Sequence, residues 1–245
     1  MKANSLLIRA LSGTVLVLLV VGMTLAWYDP ATGVPGRTFY LLWSVVGLLT
    51  LWEYGRLLGA RLKTRSAGGR AAWYLLGGAY IAQAFVLIQL MDAMLVVTLM
   101  TVVWMSDTGA YLVGSTVGRH KMAPVVSPKK TWEGFAGGML FAVGVSLVWY
   151  SLYWGGQYDG AIATWGAAAY DSHLVGALKW VGFGIVVGLA ATVGDLVESK
   201  FKRTIDVKDS GGIIPGHGGM LDRFDALLLA VPVAWGYLLL TALTE

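Results

Sequence analysis

Apolar runs long enough to cross a membrane recur along the whole chain. A spanning helix needs about 20 mostly apolar residues. Two of the runs are less regular than the others, because 38–52 is short and ends at Glu53, and 93–118 contains Asp107. We therefore predict an all-α, polytopic transmembrane fold with about seven spans, at positions 10–28, 38–52, 71–91, 93–118, 134–158, 174–194 and 226–244.

The composition supports membrane insertion. Hydrophobic residues make up 57% of the chain and charged residues only 13%, whereas a soluble domain carries roughly 25% charge. The chain has no cysteine, which excludes disulfides, thiolate metal ligands and a cysteine nucleophile.

Basic residues gather in alternate connections between the runs. Only Arg37 and Lys179 fall on the opposite side from the other 16 of the 18 Lys and Arg residues. Cytoplasmic loops carry the excess of Lys and Arg in membrane proteins. We therefore expect a cytoplasmic N-terminus. We divide the chain into an N-terminal hairpin with a basic loop, 1–70, and a catalytic region, 71–245, with cytoplasmic loops 114–133 and 195–225.

The later cytoplasmic loop concentrates acids at two helix ends. Asp195, Glu198, Ser199 and Lys202 are spaced to share one face of a helix that continues beyond the sixth span. The loop ends with two acids at i and i+3, Asp222 and Asp225. Mg²⁺ usually takes one or two carboxylates together with substrate phosphates and water, so these four acids are candidate metal ligands. The alternatives are a solvated helix end and favourable placement of acids at a helix N-terminus.

A glycine-rich segment at 211–219 lies between these acids. Glycines let backbone N–H groups approach and cradle phosphate oxygens, although the P-loop spacing is absent. His217, Gly218 and Gly219 are therefore candidate substrate-binding residues. The alternative is a flexible turn between helices. The bases expected to neutralise phosphates here are Lys202, Arg203, Lys208 and Arg223.

The earlier loop adds a second set of polar candidates. Ser127, Lys130 and Thr131 are expected to bind phosphate, but Thr131 is also placed to cap the fifth helix. Asp107 is an acid at membrane depth and so a functional candidate. Its alternative is an ion pair with Arg119 or Lys121. Glu53 is expected to be only interfacial.

Two segments together resemble the phosphatidate cytidylyltransferases. The later one contains Ser199, Lys202-Arg203, Lys208-Asp209, Pro215, His217-Gly218-Gly219, Asp222-Arg223 and Asp225. The earlier one contains Asp107, Ala110-Tyr111, Gly114, Gly118, Ser127-Pro128-Lys129-Lys130-Thr131 and Glu133-Gly134. The resemblance is specific over about residues 104–225, and the chain has fewer spans than is common in that family.

The resemblance implies a Mg²⁺-dependent nucleotidyltransferase that uses CTP and phosphatidic acid to make CDP-diacylglycerol and pyrophosphate. It implies a homodimer in the cell (inner) membrane. It also implies Mg²⁺ with K⁺ as a second metal, held by Asp195 and Asp222. We expect no nucleic-acid partner. The alternatives are transfer to another lipid phosphate and a non-enzymatic transporter, which would place paired charges near mid-membrane.

Overall fold

A computed structural model describes residues 2–29, 34–61, 66–154, 173–214 and 218–242, and these residues form seven α-helices and one β-hairpin. The hairpin pairs two short antiparallel strands between the fourth and fifth helices. In chain order the elements are α1 (Lys2–Leu25), α2 (Arg37–Arg61), α3 (Ala67–Gln89), α4 (Ala93–Thr116), β1 (Lys121–Ala123), β2 (Ser127–Thr131), α5 (Trp132–Trp154), α6 (His173–Thr204) and α7 (Leu221–Ala242).

The helices have the length and surface of membrane spans. Within the described residues, α2 to α7 are each long and apolar enough to cross a bilayer, and α1 contributes the shorter apolar stretch Leu11–Leu25. Their outer faces expose leucines that water would not favour, including Leu18, Leu48, Leu75, Leu140 and Leu240. The helical polytopic fold is thus confirmed, while the number of spans stays a prediction.

The second helix is longer than its apolar run. It continues past the predicted end of the run at position 52 to Arg61, so Arg56 and Arg61 lie on the helix. The reason is packing, because Tyr54 and Leu58, one turn apart, are both buried. An amphipathic turn therefore follows the purely apolar part of the helix.

Aromatic side chains join the second helix to the rest of the core. Trp43 on α2 lies 6.4 Å from Phe85 on α3 and 5.9 Å from Phe224 on α7, measured between ring centroids. All three side chains are buried. Segment 1–70 thus shares a core with 71–245, and the two-part division of the chain stays a prediction.

The charged connections meet at one end of the bundle. Lys130 on the hairpin reaches Asp195 on α6 at 2.7 Å, and Arg56 on α2 reaches the Ser210 carbonyl between α6 and α7 at 3.4 Å. At the other end, the Lys179 ammonium donates to the Thr241 carbonyl at 3.3 Å. We call the first end the charged end.

Candidate active site

Lys202 is the centre of an ion network at the charged end. Its ammonium lies 2.6 Å from the Glu198 carboxylate, one turn earlier on α6, and 2.7 Å from the Asp222 carboxylate on α7. All three side chains are largely buried. A buried charge needs opposite charges and hydrogen bonds, so this lysine holds the ends of α6 and α7 together.

Asp195, two turns before Lys202 on α6, joins that helix to the hairpin. Its carboxylate pairs with Lys130 at 2.7 Å and accepts a hydrogen bond from the Ser199 hydroxyl at 3.2 Å. The predicted shared face of Asp195, Glu198, Ser199 and Lys202 is confirmed by these contacts.

Backbone groups fix one oxygen of Asp222. Its Oδ2 accepts hydrogen bonds from the Ser210 N–H at 2.8 Å and the Gly219 N–H at 2.9 Å, while its Oδ1 accepts from Lys202. Gly218 precedes this contact with φ +82°, a conformation that glycine adopts without strain. The Asp222 carboxylate therefore organises the start of α7 and also pairs with Lys202, while its role as a metal ligand stays a prediction.

Asp225, Asp107 and Arg223 line one cavity of about 290 Å³ together with Asp222. The wall opposite them comes from α1. Beside this cavity α6 and α7 touch at Gly194, where a Cβ atom would lie only 3.0 Å from the Asp225 carbonyl oxygen. The close approach of the two helices brings Asp225 next to the residue that precedes Asp195.

A second cavity, of about 260 Å³, lies between the hairpin and the α4 and α6 helices. Lys129, Lys130 and Thr131 line it on the hairpin side, and Asp107 and Asp195 on the helix side. Asp107 thus borders both cavities. It lies near Lys130 and Arg223, and the sequence alternative of a pair with Arg119 or Lys121 is absent from the ion pairs of the described residues.

The hairpin is locked onto α5 by two side chains. The Thr131 hydroxyl is buried and accepts the Gly134 N–H at 3.1 Å, so it caps the helix. Glu133 accepts the backbone N–H groups of Arg119 and His120 and contacts the His120 ring at 2.5 Å. Of the two interpretations of Thr131, helix capping is the one that its described contacts support.

Three described site candidates, Ser127, Arg203 and Lys208, stand outside the network. Ser127 lies in the hairpin ladder opposite Ala123. Arg203 is exposed and donates to the Val207 carbonyl, and Lys208 is exposed between α6 and α7. His217 lies outside the described residues.

A third cavity, of about 340 Å³, is apolar and reaches the network from the side of α2 and α3. Tyr54, Trp73, Ile81 and Phe201 are among its lining residues, and Glu198 is its acid. The buried Oε1 of Glu198 has no hydrogen-bond partner among the described residues.

The acids at the charged end offer oxygen donors of the kind that a divalent cation takes. Within the described part of the chain, no three acidic or histidine side chains converge as a complete metal shell. Yet five acids, Asp107, Asp195, Glu198, Asp222 and Asp225, lie with three bases, Lys130, Lys202 and Arg223. That excess of negative charge and the unpartnered oxygen of Glu198 suit Mg²⁺ held by one or two carboxylates plus phosphate oxygens.

Glu53 is the site residue that sequence reasoning missed. It is completely buried, and its Oε2 accepts hydrogen bonds from the Ser210 hydroxyl at 3.1 Å and the Leu221 N–H at 2.9 Å. The available signal was an acid inside a continuing amphipathic helix. A charged residue at the end of an apolar run more often lies at the membrane interface, so the sequence pattern led to the wrong prediction for Glu53.

Comparison with known protein sequences identifies the family of this chain. The chain is 43% identical over 132 residues to the phosphatidate cytidylyltransferase of Staphylococcus saprophyticus and to that of Staphylococcus aureus strain COL. It is 44% identical over 133 residues to that of Staphylococcus epidermidis strain RP62A. Each match covers 54% of this chain and 44% of the relative, so the chain matches less than half the length of these curated relatives. A sequence model of the cytidylyltransferase family matches residues 9–241, and the chain therefore belongs to that family.

Proposed function

We propose that the protein transfers the cytidylyl group of CTP to phosphatidic acid, forming CDP-diacylglycerol and releasing pyrophosphate. One observation carries the proposal. A network of acids and bases joins α6, α7 and the hairpin at one end of an apolar helical bundle. The membership of the cytidylyltransferase family and the names of the relatives support the same activity.

The chemistry requires positioning and charge neutralisation more than proton transfer. A phosphate oxygen of phosphatidic acid attacks the α-phosphorus of CTP, a new P–O bond forms, and the bond to the bridging oxygen breaks. The electron pair of that bond leaves with pyrophosphate. A phosphomonoester has a second pKa of about 6, so the nucleophile is already anionic at neutral pH. The protein must bring two anions together and stabilise the leaving charge.

The bases of the network suit that task. Lys130 and Arg223 each line a cavity beside the acids, so each can meet a phosphate group without leaving its helix or strand. Lys202 is held between Glu198 and Asp222, and it can fix the geometry of both carboxylates as substrate binds. In this proposal Arg203, at the end of α6, and Lys208 and His217, between α6 and α7, also act on the substrate.

Bound Mg²⁺ would neutralise the phosphate oxygens of CTP, with Asp195 and Asp222 as its first candidate ligands and Glu198 and Asp225 as further ones. Asp222 has one oxygen held by two backbone N–H groups, and its other oxygen, now paired with Lys202, would be the one to meet the ion. Asp195 is exposed enough to exchange its partner Lys130 for a substrate-bound ion. A second, monovalent ion such as K⁺ belongs to the same proposal.

The site lies where a lipid and a nucleotide can meet. The acyl chains can remain beside the exposed leucines of the bundle, while the charged end reaches the aqueous phase. The distribution of Lys and Arg supports a cytoplasmic position for that end, which is the side on which CTP is found.

The test is product formation by purified protein in lipid–detergent micelles. Labelled CTP, phosphatidic acid and Mg²⁺ should give lipid-linked CMP and pyrophosphate, both identified by mass spectrometry. Asp195→Asn and Asp222→Asn should each lower kcat by at least about 100-fold, as expected when electrostatic stabilisation is lost. Asp206→Asn is the matched control, because Asp206 is exposed on the adjacent loop and its left-handed φ of 55° also suits asparagine.

Different outcomes separate the alternatives. Wild-type activity in both Asp195→Asn and Asp222→Asn would reject the assignment of the site. A faster reaction with another lipid phosphate would keep the chemistry and change the substrate. CTP binding without any lipid-linked product would reject the enzymatic proposal.

A further inference from the structure

We propose that Glu53 is a positioning residue for the transfer reaction, which acts by fixing the segment between α6 and α7 around Asp222. This inference rests on the proposed function for its kinetic consequences. Its structural part concerns only hydrogen bonds within the protein.

Glu53 touches both sides of the segment that Asp222 closes. Its Oε2 accepts the hydroxyl of Ser210, near the start of that segment, and the N–H of Leu221, the first residue of α7. Ser210 in turn donates its own N–H to Asp222. A continuous path of hydrogen bonds therefore runs from α2 through Ser210 to a carboxylate of the ion network.

The segment is built tightly around this carboxylate. A Cβ atom on Gly211 would lie 2.3 Å from the Glu53 Oε1, and one on Gly219 would lie 2.4 Å from its Oε2. A side chain at either position would therefore displace the Glu53 carboxylate. Gly219 also donates its N–H to Asp222. The two glycines let the backbone wrap the Glu53 carboxylate while the same backbone holds Asp222.

Arg56, one turn later on α2, adds a second tie to the same place. Its guanidinium donates to the Ser210 carbonyl at 3.4 Å. Ser210 thus has its hydroxyl and carbonyl bound by α2 and its N–H bound by α7. Its side chain is buried, so water does not easily replace these contacts. α2 therefore holds Ser210 in place, and Ser210 in turn holds Asp222 through its N–H.

The physical consequence of these contacts is that the Asp222 side chain is held in one position. When Glu53 is absent, Ser210 and Leu221 lose their acceptor, and a buried donor without a partner is costly. The segment is expected to move until those donors are satisfied. A shift of about 1 Å in a catalytic group lowers a rate by up to roughly 100-fold.

The experiment compares Glu53→Gln with Ser210→Ala and with the double variant. Glutamine keeps an oxygen acceptor and nearly the same shape, so Glu53→Gln should fold, whereas Glu53→Ala tests complete loss of the acceptor. We expect kcat to fall about 10-fold in Glu53→Gln and further in Glu53→Ala, with KM for CTP changed much less. If Glu53 and Ser210 act through the hydrogen bond between them, kcat of the double variant should be about equal to kcat of the slower single variant.

Hydrogen exchange gives a readout that does not depend on activity. The Ser210 and Gly219 amides should exchange about 10-fold faster in Glu53→Gln, the expected effect of weakening one hydrogen bond. Amides in α5 should be unchanged. Asp92→Asn is the matched control, since Asp92 is a carboxylate that caps α4 at the opposite end of the bundle.

The outcomes distinguish this inference from the proposed function. If the wild-type protein makes no CDP-diacylglycerol but the two amides lose protection, the function is wrong and the positioning contact stands. If kcat and both amides are unchanged in Glu53→Gln and in Glu53→Ala, Glu53 positions nothing. If kcat falls equally in Asp92→Asn, the effect is general destabilisation and the inference is overturned.

Discussion

Lys202 shows how much a single side chain contributes at the residue scale. It is 9% exposed and lies between two carboxylates, one from its own helix and one from the next. Removing one partner of a buried ionic group leaves uncompensated charge and costs about 3–5 kcal/mol. The lysine is therefore needed for the geometry of the acids whether or not it also touches substrate.

We predict that Lys202→Met lowers both stability and activity. Glu198 and Asp222 would then face each other without a cation, so we expect a loss of about 3 kcal/mol in the free energy of unfolding and no measurable lipid-linked CMP. Thermal unfolding in detergent and the product assay check the two effects. Lys200→Met is the matched control, because Lys200 is exposed two positions earlier on the same helix. Equal behaviour of the two variants would contradict the central role of Lys202.

At the residue scale the sequence predicted the members of the network better than their contacts. The spacing of Asp195, Glu198, Ser199 and Lys202 predicted a shared helical face. This was possible because the 3.6-residue period of a helix can be recognised in a short stretch of sequence. The partner of Lys202 on α7 and the support from Glu53 on α2 depend on how distant helices pack. No local pattern specifies such pairs, which is why Glu53 was taken for an interfacial residue.

At the element scale, α6 and α7 position the acids by lying very close together. Gly194 makes this possible, since a Cβ there would lie 3.0 Å from the Asp225 carbonyl and 3.1 Å from that of Ala226. Small residues at such crossings let membrane helices pack backbone to backbone. The apolar runs predicted the seven helices of the described residues, but the β-hairpin at 121–131 was not predicted. Its strands are short, and polar residues with one proline do not show a strand period.

We predict that Gly194→Ala separates α6 from α7 and misaligns Asp195. The backbone atoms facing the new methyl group cannot rotate away, so we expect overpacking to cost about 1–3 kcal/mol and to lower kcat. Thermal unfolding and the product assay measure both. Gly144→Ala in α5 is the control, because nothing lies within 4 Å of its Cβ position. There alanine should be neutral or stabilise the helix by up to about 1 kcal/mol. Equal stability and kcat in the two variants would show that this crossing tolerates a larger residue.

At the scale of the whole molecule, the structure gathers nearly all of its chemistry at one end. The hairpin, the second half of α6, the start of α7 and the last turns of α2 meet there. The described helices expose mainly large apolar side chains along their lengths. The sequence predicted this polarity through the distribution of Lys and Arg, because charge asymmetry is a property of connections that does not require knowledge of packing. The direction of the bundle in the membrane remains a prediction from that asymmetry.

We predict that the charged end faces the cytoplasm, and the absence of cysteine makes this directly measurable. Val125 at the tip of the hairpin and Val34 between α1 and α2 are a matched pair, because both are valines, 84% and 56% exposed, at opposite ends of the bundle. A membrane-impermeant maleimide should label Val34→Cys in intact cells. It should label Val125→Cys only after the membrane is opened, since the 16 Lys and Arg residues of that side hold it inside. Labelling of Val125→Cys in intact cells would place the network on the side that CTP does not reach, and the proposed reaction would then lack its nucleotide.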